Sequence, residues 1–210
     1  MKIIIGSSFY ELMKYGKDID LYINKSDIAT LERKVETKTT QYSTVLFFHK
    51  NFIALSAALF LMMISWTFII LTTLKIINIE HAPAIHLGLF MGMFMPYGLI
   101  YAGSVYLIAR GVQKGITLIY ISFTFIFITA FIFSFYYFHR LYLSENSNAE
   151  NIIHIIILLL PLYFSRLILN TTLIRIAIMW TINERAKKAY WELFMKDYQS
   201  PRKKRKLRVG

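Results

Sequence analysis

The hydrophobic positions of the chain gather into four long apolar runs, at 52–74, 87–109, 116–138 and 152–174. Crossing the apolar core of a bilayer, about 30 Å thick, takes roughly 20 helical residues. Each run is long enough to cross and much longer than a strand of a membrane β-barrel. The pattern therefore predicts an all-α integral membrane protein with four transmembrane helices and cytoplasmic helical flanks at its N- and C-terminal ends.

The first polar flank, residues 1–44, alternates short apolar clusters with charged residues. Ser26 and Asp27 are typical of a helix start, because Ile28 and Leu31 follow them at helical spacing. We expect this region to form a small cytoplasmic cap or interfacial helices. The alternative is a solvated and partly disordered tail, since so short a segment seldom supports an independent core.

The second polar flank, residues 181–210, follows the transmembrane domain at 45–180. We expect the fourth helix to continue past Ile174 towards the cytoplasm. The flank then predicts an amphipathic helix along or below the inner leaflet, with basic residues close to an apolar stripe. The stripe consists of Ile182, Ala186, Ala189 and Leu193.

Charge is distributed unevenly along the chain, whose formal net charge is +12 and whose mean hydropathy is +0.48. Lys and Arg are abundant at both ends, whereas loop 76–86 contains none. Segments rich in Lys and Arg stay in the cytoplasm, so both termini are predicted there. The Lys-, Ile- and Asn-rich composition and the lack of glycosylation-ready loops favour a bacterial inner membrane.

The densest positive segment is the polybasic tail near the C-terminus. Its basic residues include Lys203, Lys204, Arg205, Lys206 and Arg208. This tail can act as an orientation determinant, or it can bind anionic lipids at the leaflet surface. Nucleic acid is not expected as a partner, because nothing beside the basic run indicates an aromatic stacking platform.

The clearest packing signal is the GxxxG motif of the second run, Gly88 and Gly92, and Gly103 continues the same helix face. Small residues let membrane helices approach each other closely. This face can pack within the four-helix bundle, or it can dimerise or dock on a partner. Pro96 is expected to bend the helix near the middle of the bilayer.

The fourth run contains three residues that are unusual in a membrane helix, namely Pro161, Arg166 and Asn170. A charge at this depth is costly unless it has a partner or reaches the interface. Arg166 can snorkel to lipid phosphate. Alternatively it faces the bundle interior, held by Asn170, Ser165 or carbonyls freed near Pro161, and binds an anion or gates a path. No Asp or Glu lies within the four runs, which argues against ion-coupled transport.

Residues that could carry catalysis or bind a metal are scarce. The absence of cysteine excludes disulfides, thiol catalysis and Cys-ligated zinc. Four histidines should gather near the outer surface, but their spacing contains no compact HxxxH motif and we predict no metal site. These histidines are His81, His86, His139 and His154. No Walker A loop, GxSxG or HExxH motif is present, so we expect a non-enzymatic protein without a cofactor.

In size and layout the chain looks like several small bacterial inner-membrane proteins, including immunity proteins against pore-forming toxins and accessory subunits of secretion or conjugation machines. This resemblance is one of layout and rests on no shared motif. Our first hypothesis is a membrane interaction protein that acts through helix–helix contacts. It would be an accessory or scaffold subunit of a membrane complex, or an immunity or exclusion protein, with membrane lipids and a protein partner or a second copy as its partners. The alternative is a small channel or permease with Arg166 lining the path.

Overall fold

The computed structural model describes residues 2–36, 44–77, 82–143 and 148–206, and these described residues form helices joined by short turns. The helices are α1 Lys2–Ile5, α2 Ser7–Asn24, α3 Ile28–Glu36, α4 Thr44–Ile77, α5 Pro83–Ala109, α6 Gln113–Leu143, α7 Asn148–Leu169 and α8 Thr172–Lys206. The described parts contain no β-strand. The all-α prediction is therefore confirmed for them.

Four segments of α4 to α7 are long and apolar enough to span a membrane. They are Phe52–Ile77, Pro83–Ala109, Gln113–Tyr142 and Ala149–Leu169. Each contains one of the four apolar runs, or most of it, and each exceeds the roughly 20 residues that a bilayer requires. These four apolar helices are compatible with a multi-pass membrane protein.

The four spanning helices form a bundle in which α4 and α7 make the most extensive contact. Helix α6 packs against α5 and α7, and α4 also contacts α5 and α6. Helix α5 is the peripheral member, because only Tyr97, Ser104 and Ile108 are buried along its length. Helices α4, α6 and α7 therefore form the centre of the bundle, and α5 packs on the outside against α4 and α6.

Both intramembrane prolines lie inside continuous helices, Pro96 in α5 and Pro161 in α7. A proline lacks the N–H that would bond to the carbonyl four residues earlier, and its ring disturbs that turn. Two neighbouring residues of α4 donate side-chain hydrogen bonds to these disturbed turns, one to each. Trp66 Nε1 donates to the carbonyl of Met93 (3.3 Å), and Ser65 Oγ donates to that of Leu158 (3.1 Å). Each acceptor lies three residues before a proline.

The predicted fourth span ends earlier than expected, and the helix does not continue through Ile174. Helix α7 ends at Leu169 and α8 begins at Thr172. Between them the Asn170 side chain donates to the carbonyl of Arg166 (2.7 Å), and the Thr171 hydroxyl donates to that of Ile168 (2.7 Å). Asn and Thr side chains that bond to nearby backbone in this way compete with the helical ladder. The chain changes direction at this point.

Helix α8 crosses the end of the bundle from α7 to the turn between α5 and α6. Its first turns, with Ile178 at their centre, pack against Phe52 and Leu55 of α4 and Ile108 of α5. At the α5–α6 turn, Gly111 then meets the Thr181 carbonyl so closely that a Cβ would overlap it. The path from Thr172 to Thr181 is about 14 Å long at 1.5 Å per residue.

Helix α2 runs beside α8 in the same direction and covers it. Phe9 N donates to Asn170 Oδ1 (3.3 Å), Tyr15 Oη donates to Asn183 Oδ1 (2.6 Å), and Arg185 pairs with Asp20 (2.6 Å). Helix α3 packs on both α2 and α8, with Leu31 fully buried. The N-terminal region thus forms a helical cap, and the alternative of a solvated tail does not hold for the described residues.

The start of α3 is the one predicted for it. Asp27 Oδ1 accepts the backbone N–H of Thr30 (3.1 Å), which is the bond that an N-cap residue makes to the first turn. This hydrogen bonding lowers the pKa of the Asp27 carboxyl below its ordinary value. The cap is therefore charged at neutral pH and favours the helix N-terminus.

The apolar stripe of the helix predicted along or below the inner leaflet packs against the protein's own core. Ile182 and Ala186 are buried, and Leu193 packs against the same core. A Cβ on Gly16 of α2 would lie 3.4 Å from Ile182, which shows how closely the two helices approach. The physical reason is that α2 and α3 supply an apolar partner that the sequence of α8 alone does not reveal.

Candidate functional site

The glycines of the described chain fall into two groups according to what surrounds them. Around Gly6, Gly16, Gly111 and Gly115 an added Cβ would contact or overlap neighbouring atoms. Around the four glycines of α5 it would meet nothing within 4 Å. These four are Gly88, Gly92, Gly98 and Gly103. Close packing within the chain therefore explains why the first four positions are glycine. The described structure gives no such reason for the four glycines of α5.

The predicted GxxxG face is consequently an outer surface of the bundle. Gly88, Gly92, Leu99 and Gly103 follow one another at helical spacing, and Leu99 is 74% exposed. Pro96 and Met95 lie next to them on the same side, and Met95 is 65% exposed. We call this set the α5 surface. Of the two uses considered for the motif, packing within the four-helix bundle receives no support from the described residues, because none of their atoms lies within 4 Å of a Cβ at Gly88, Gly92 or Gly103.

The second group of candidate residues lines an open groove at the end of the bundle where α7 stops. Arg166 and Asn170 lie on one wall, and Ser7 and Ser8, in the first turn of α2, form the other. Gly6, Tyr163 and Leu167 complete a groove of about 540 Å³. Arg166 is half-buried there, and the described residues that line the groove include no acidic side chain. The structure therefore places Arg166 at the end of the bundle.

The partners expected for Arg166 lie at different places in the fold. Asn170 does bond to this residue, but to its backbone carbonyl. Ser165, also considered as a partner, is buried, and its hydroxyl makes no hydrogen bond. Pro161 lies five residues before Arg166 in α7. Near it, Ser65 of α4 donates a hydrogen bond to the Leu158 carbonyl. Asn170, Ser165 and Pro161, which were expected to act together on Arg166, thus have different surroundings in the fold.

The main role of Asn170 is to join the N-terminal cap to the break between α7 and α8. Its amide nitrogen donates to the carbonyl of Ile5 (2.5 Å), and its oxygen accepts the N–H of Phe9 (3.3 Å). Gly6 lies against the same amide with a φ of +108°, a conformation that L-residues rarely adopt. Sequence analysis missed Gly6 because its partner is far away in the chain.

A second junction ties the cap to the turn between α5 and α6. Arg185 Nη1 donates both to Asp20 Oδ1 (2.6 Å) and to the Gly111 carbonyl (3.3 Å). Nearby, burial raises the pKa of the Tyr15 phenol, whose hydroxyl donates to buried Asn183. Both junctions are structural, and they fix α8 relative to the bundle.

The histidines do not form a metal centre in the described part of the chain, where no group of three or more His, Asp or Glu side chains could hold an ion. His154 stacks on Tyr137 (4.8 Å between ring centroids), and its Nδ1 lies 2.7 Å from the Glu150 carbonyl. His81 lies outside the described residues.

The polybasic tail lies only partly within the described chain. Lys203, Lys204, Arg205 and Lys206 belong to the end of α8, and Arg208 lies outside the described residues. Its predicted binding of anionic lipids stays a prediction.

The chain matches no protein-family model, and comparison with curated proteins and with solved structures gave no match. The α5 surface and the groove beside Arg166 are therefore the features of the molecule that bear on its function.

Proposed function

We propose that this protein is a non-enzymatic accessory subunit of a membrane complex and that its α5 surface docks on a transmembrane helix of a partner protein. We place it in a bacterial inner membrane with both termini in the cytoplasm. The observation that carries the proposal is the open space beside Gly88, Gly92 and Gly103. The absence of catalytic motifs from the sequence is consistent with it.

The glycines of α5 have an energetic consequence that supports a partner. Each glycine in a helix interior is about 1 kcal/mol less favourable than alanine. In membranes this loss is offset when a second backbone approaches closely enough for van der Waals contact, which is the role of small residues at helix interfaces. Because the described part of the chain supplies no such contact at the glycines of the α5 surface, a second polypeptide is the best candidate to supply it.

The test is a matched pair of glycine substitutions in the same helix. Gly92→Leu fills the centre of the α5 surface. Gly98→Leu adds the same side chain where a Cβ also meets nothing, but six residues on, about 120° around the helix. The protein would be purified from its native membrane in mild detergent, and the material that migrates as a larger complex would be measured. We expect Gly92→Leu to lose the complex and Gly98→Leu to keep it.

Because the chain has no cysteine, a single cysteine can identify the partner. Leu99→Cys places a thiol on the α5 surface, and cross-linking in intact membranes should produce an adduct with another protein. An adduct formed only with a second copy of this chain would mean that the α5 surface makes a homodimer and does not bind a different protein. Normal assembly of Gly92→Leu, with the folded monomer unchanged, would contradict the proposal.

The alternative function, a channel or permease, depended on Arg166 lining a path through the bundle. Arg166 instead lines an open groove at the end of α7, so its position does not favour that function. Liposomes containing the purified protein provide the discriminating measurement. Anion or solute flux that is abolished by Arg166→Leu would favour transport over our proposal.

A further inference from the structure

Helix α8 carries a second apolar stripe that the cap and the bundle leave exposed. Trp191, Phe194, Met195 and Tyr198 follow the spacing i, i+3, i+4, i+7, so they share one helix face. They are 53%, 41%, 49% and 55% exposed, respectively. Trp191 and Phe194 are in contact at 6.0 Å between ring centroids. We call these four residues the aromatic stripe.

The aromatic stripe differs in position from the apolar stripe that packs against the cap. Ala186 is fully buried and Leu193 packs against the core. Successive helix residues are separated by about 100°, so Trp191 and Met195 lie roughly 140° to 180° around the helix from Ala186. One side of α8 is therefore used within the protein, and the side that carries Trp191 and Met195 is apolar and exposed.

The depth of α8 is set by what its first half contacts. Ala177 and Ile178 pack on Phe52 and Leu55, at the beginning of one spanning segment, and on Ile108, at the end of another. In a bilayer these positions lie at the boundary between the apolar core and the headgroups. Helix α8 crosses the bundle end at that level, so its axis passes through the headgroup region.

The aromatic stripe lies beyond the edge of the bundle. Arg185 is the last α8 residue bonded to the α5–α6 turn. Tyr198 follows 13 residues later, about 20 Å further along the helix. A straight continuation of α8 across the bundle end would carry the stripe beside the bundle, where lipid headgroups would surround it.

The chemistry of this segment fits an anionic leaflet surface. Trp and Tyr are enriched at the membrane–water interface because their rings have an apolar body and a polar edge. Lys187 and Lys188, just before the stripe, are exposed. Residues 187–206 carry eight Lys and Arg against two Asp and Glu. Positive charge next to aromatic rings complements anionic lipid phosphates.

We propose that the aromatic stripe is a lipid-binding surface that anchors the distal half of α8 in the headgroup layer of an anionic leaflet. The stripe, rather than the polybasic tail alone, would then make the apolar contact with the bilayer. This inference does not depend on the docking function of the α5 surface. It depends on the bundle spanning a membrane.

Two single-cysteine variants of the full-length, cysteine-free chain test the proposal. Met195→Cys places a label on the aromatic stripe, and Lys196→Cys places the same label one residue on, about 100° around the helix. Both positions are exposed. Each variant would be labelled with an environment-sensitive fluorophore and reconstituted in vesicles of phosphatidylcholine with phosphatidylglycerol. We expect blue-shifted emission, quenched several-fold more strongly by spin-labelled lipid, at position 195 than at position 196.

A second pair of variants separates lipid binding from a local effect of the label. With the label kept at position 195, Trp191→Ser combined with Phe194→Ser should abolish most of the blue shift. Glu192→Ala, an exposed change off the stripe, should leave it. In vesicles of phosphatidylcholine alone the shift should be smaller, because the charge contribution is absent.

Three results would overturn the inference. The first is equal and water-like emission at positions 195 and 196. The second is an unchanged shift in the Trp191→Ser/Phe194→Ser variant. The third is efficient cross-linking of Met195→Cys to another protein in native membranes, which would make the stripe a protein-docking surface. Assembly through the α5 surface, measured with Gly92→Leu, is independent of all three.

Discussion

At the scale of single residues, glycine has two opposite roles in this chain. Gly6 occupies a left-handed backbone conformation and lies directly against the Asn170 amide. Gly98 lies in a regular helix with nothing within 4 Å of a Cβ position. The same substitution should therefore have different effects at the two sites, although both are glycine to alanine.

We predict that Gly6→Ala destabilises the protein and that Gly98→Ala does not. At Gly6 the positive φ alone costs a residue with a Cβ about 1–3 kcal/mol, and the overlap with Asn170 adds to this. At Gly98 alanine improves helix propensity by about 1 kcal/mol. Thermal unfolding in detergent, with proteolysis of α2 as a local measure, would check both. Equal stability of the two variants would show that the Asn170 junction does not hold the cap.

At the scale of elements, the centre of α4 organises both helices that contain a proline. Ser65 and Trp66 are adjacent, and they donate hydrogen bonds to α7 and α5 respectively. Trp66 also packs against Tyr97, the residue after Pro96, at 6.1 Å between ring centroids. This arrangement explains how α5 stays attached to the bundle although so little of it is buried.

We predict that Trp66→Phe weakens the attachment of α5 and that the effect depends on Pro96. Losing the indole donor should destabilise the protein by about 0.5–1.5 kcal/mol. The loss should be smaller in a Pro96→Ala background, where the restored N–H closes the turn that contains Met93. A double-mutant cycle of unfolding free energies measures this coupling.

Thr67→Val is the control for this cycle, because the Thr67 hydroxyl bonds to Met63 of its own helix. Its effect should be independent of Pro96. Additive effects of Trp66→Phe and Pro96→Ala would contradict the role given to the indole.

At the scale of the whole molecule, the N-terminal cap and α8 lie at the same end of the bundle. The bonds of Asn170 to Ile5 and of Arg185 to Asp20 hold them there. The last turn of α6 and the first turn of α7 lie at the other end, because α6 and α7 each traverse the bundle once. Insertion of all four apolar helices in a membrane would therefore place α2 and α8 on the same side of it.

We predict that cysteines introduced at Ser7 and Lys187 react only from the cytoplasmic side and that one at Tyr142 reacts only from the opposite side. All three residues are exposed, and Tyr142 is 87% exposed. Labelling of intact cells and of inverted membrane vesicles with an impermeant thiol reagent would check this. Reaction of Ser7 and Lys187 from opposite sides would exclude the four-span topology, whereas a complete inversion would overturn only the cytoplasmic assignment.

Much of the candidate site was visible in the sequence as a pattern, but not its surroundings. The register of Gly88, Gly92 and Gly103 predicted one helix face correctly. Whether another helix of the chain would cover that face depended on which neighbours α5 acquires, and helix periodicity contains no such information. Arg166 was likewise located within the correct helix, but its position on a groove beside Ser7 depends on the fold of a segment about 160 residues away.

Sequence by itself determined the helical fold and its four spans, because length and hydropathy are local properties that a bilayer requires of any crossing helix. It also determined the start of α3 at Asp27, since capping involves residues only a few positions apart. Tertiary structure alone decided which side of α8 is buried and which glycines are left open. These features depend on hydrogen bonds and packing between residues more than 70 positions apart, such as Asn170 with Phe9, Tyr15 with Asn183 and Arg185 with Gly111. Such contacts form only when the cap closes on the end of the bundle.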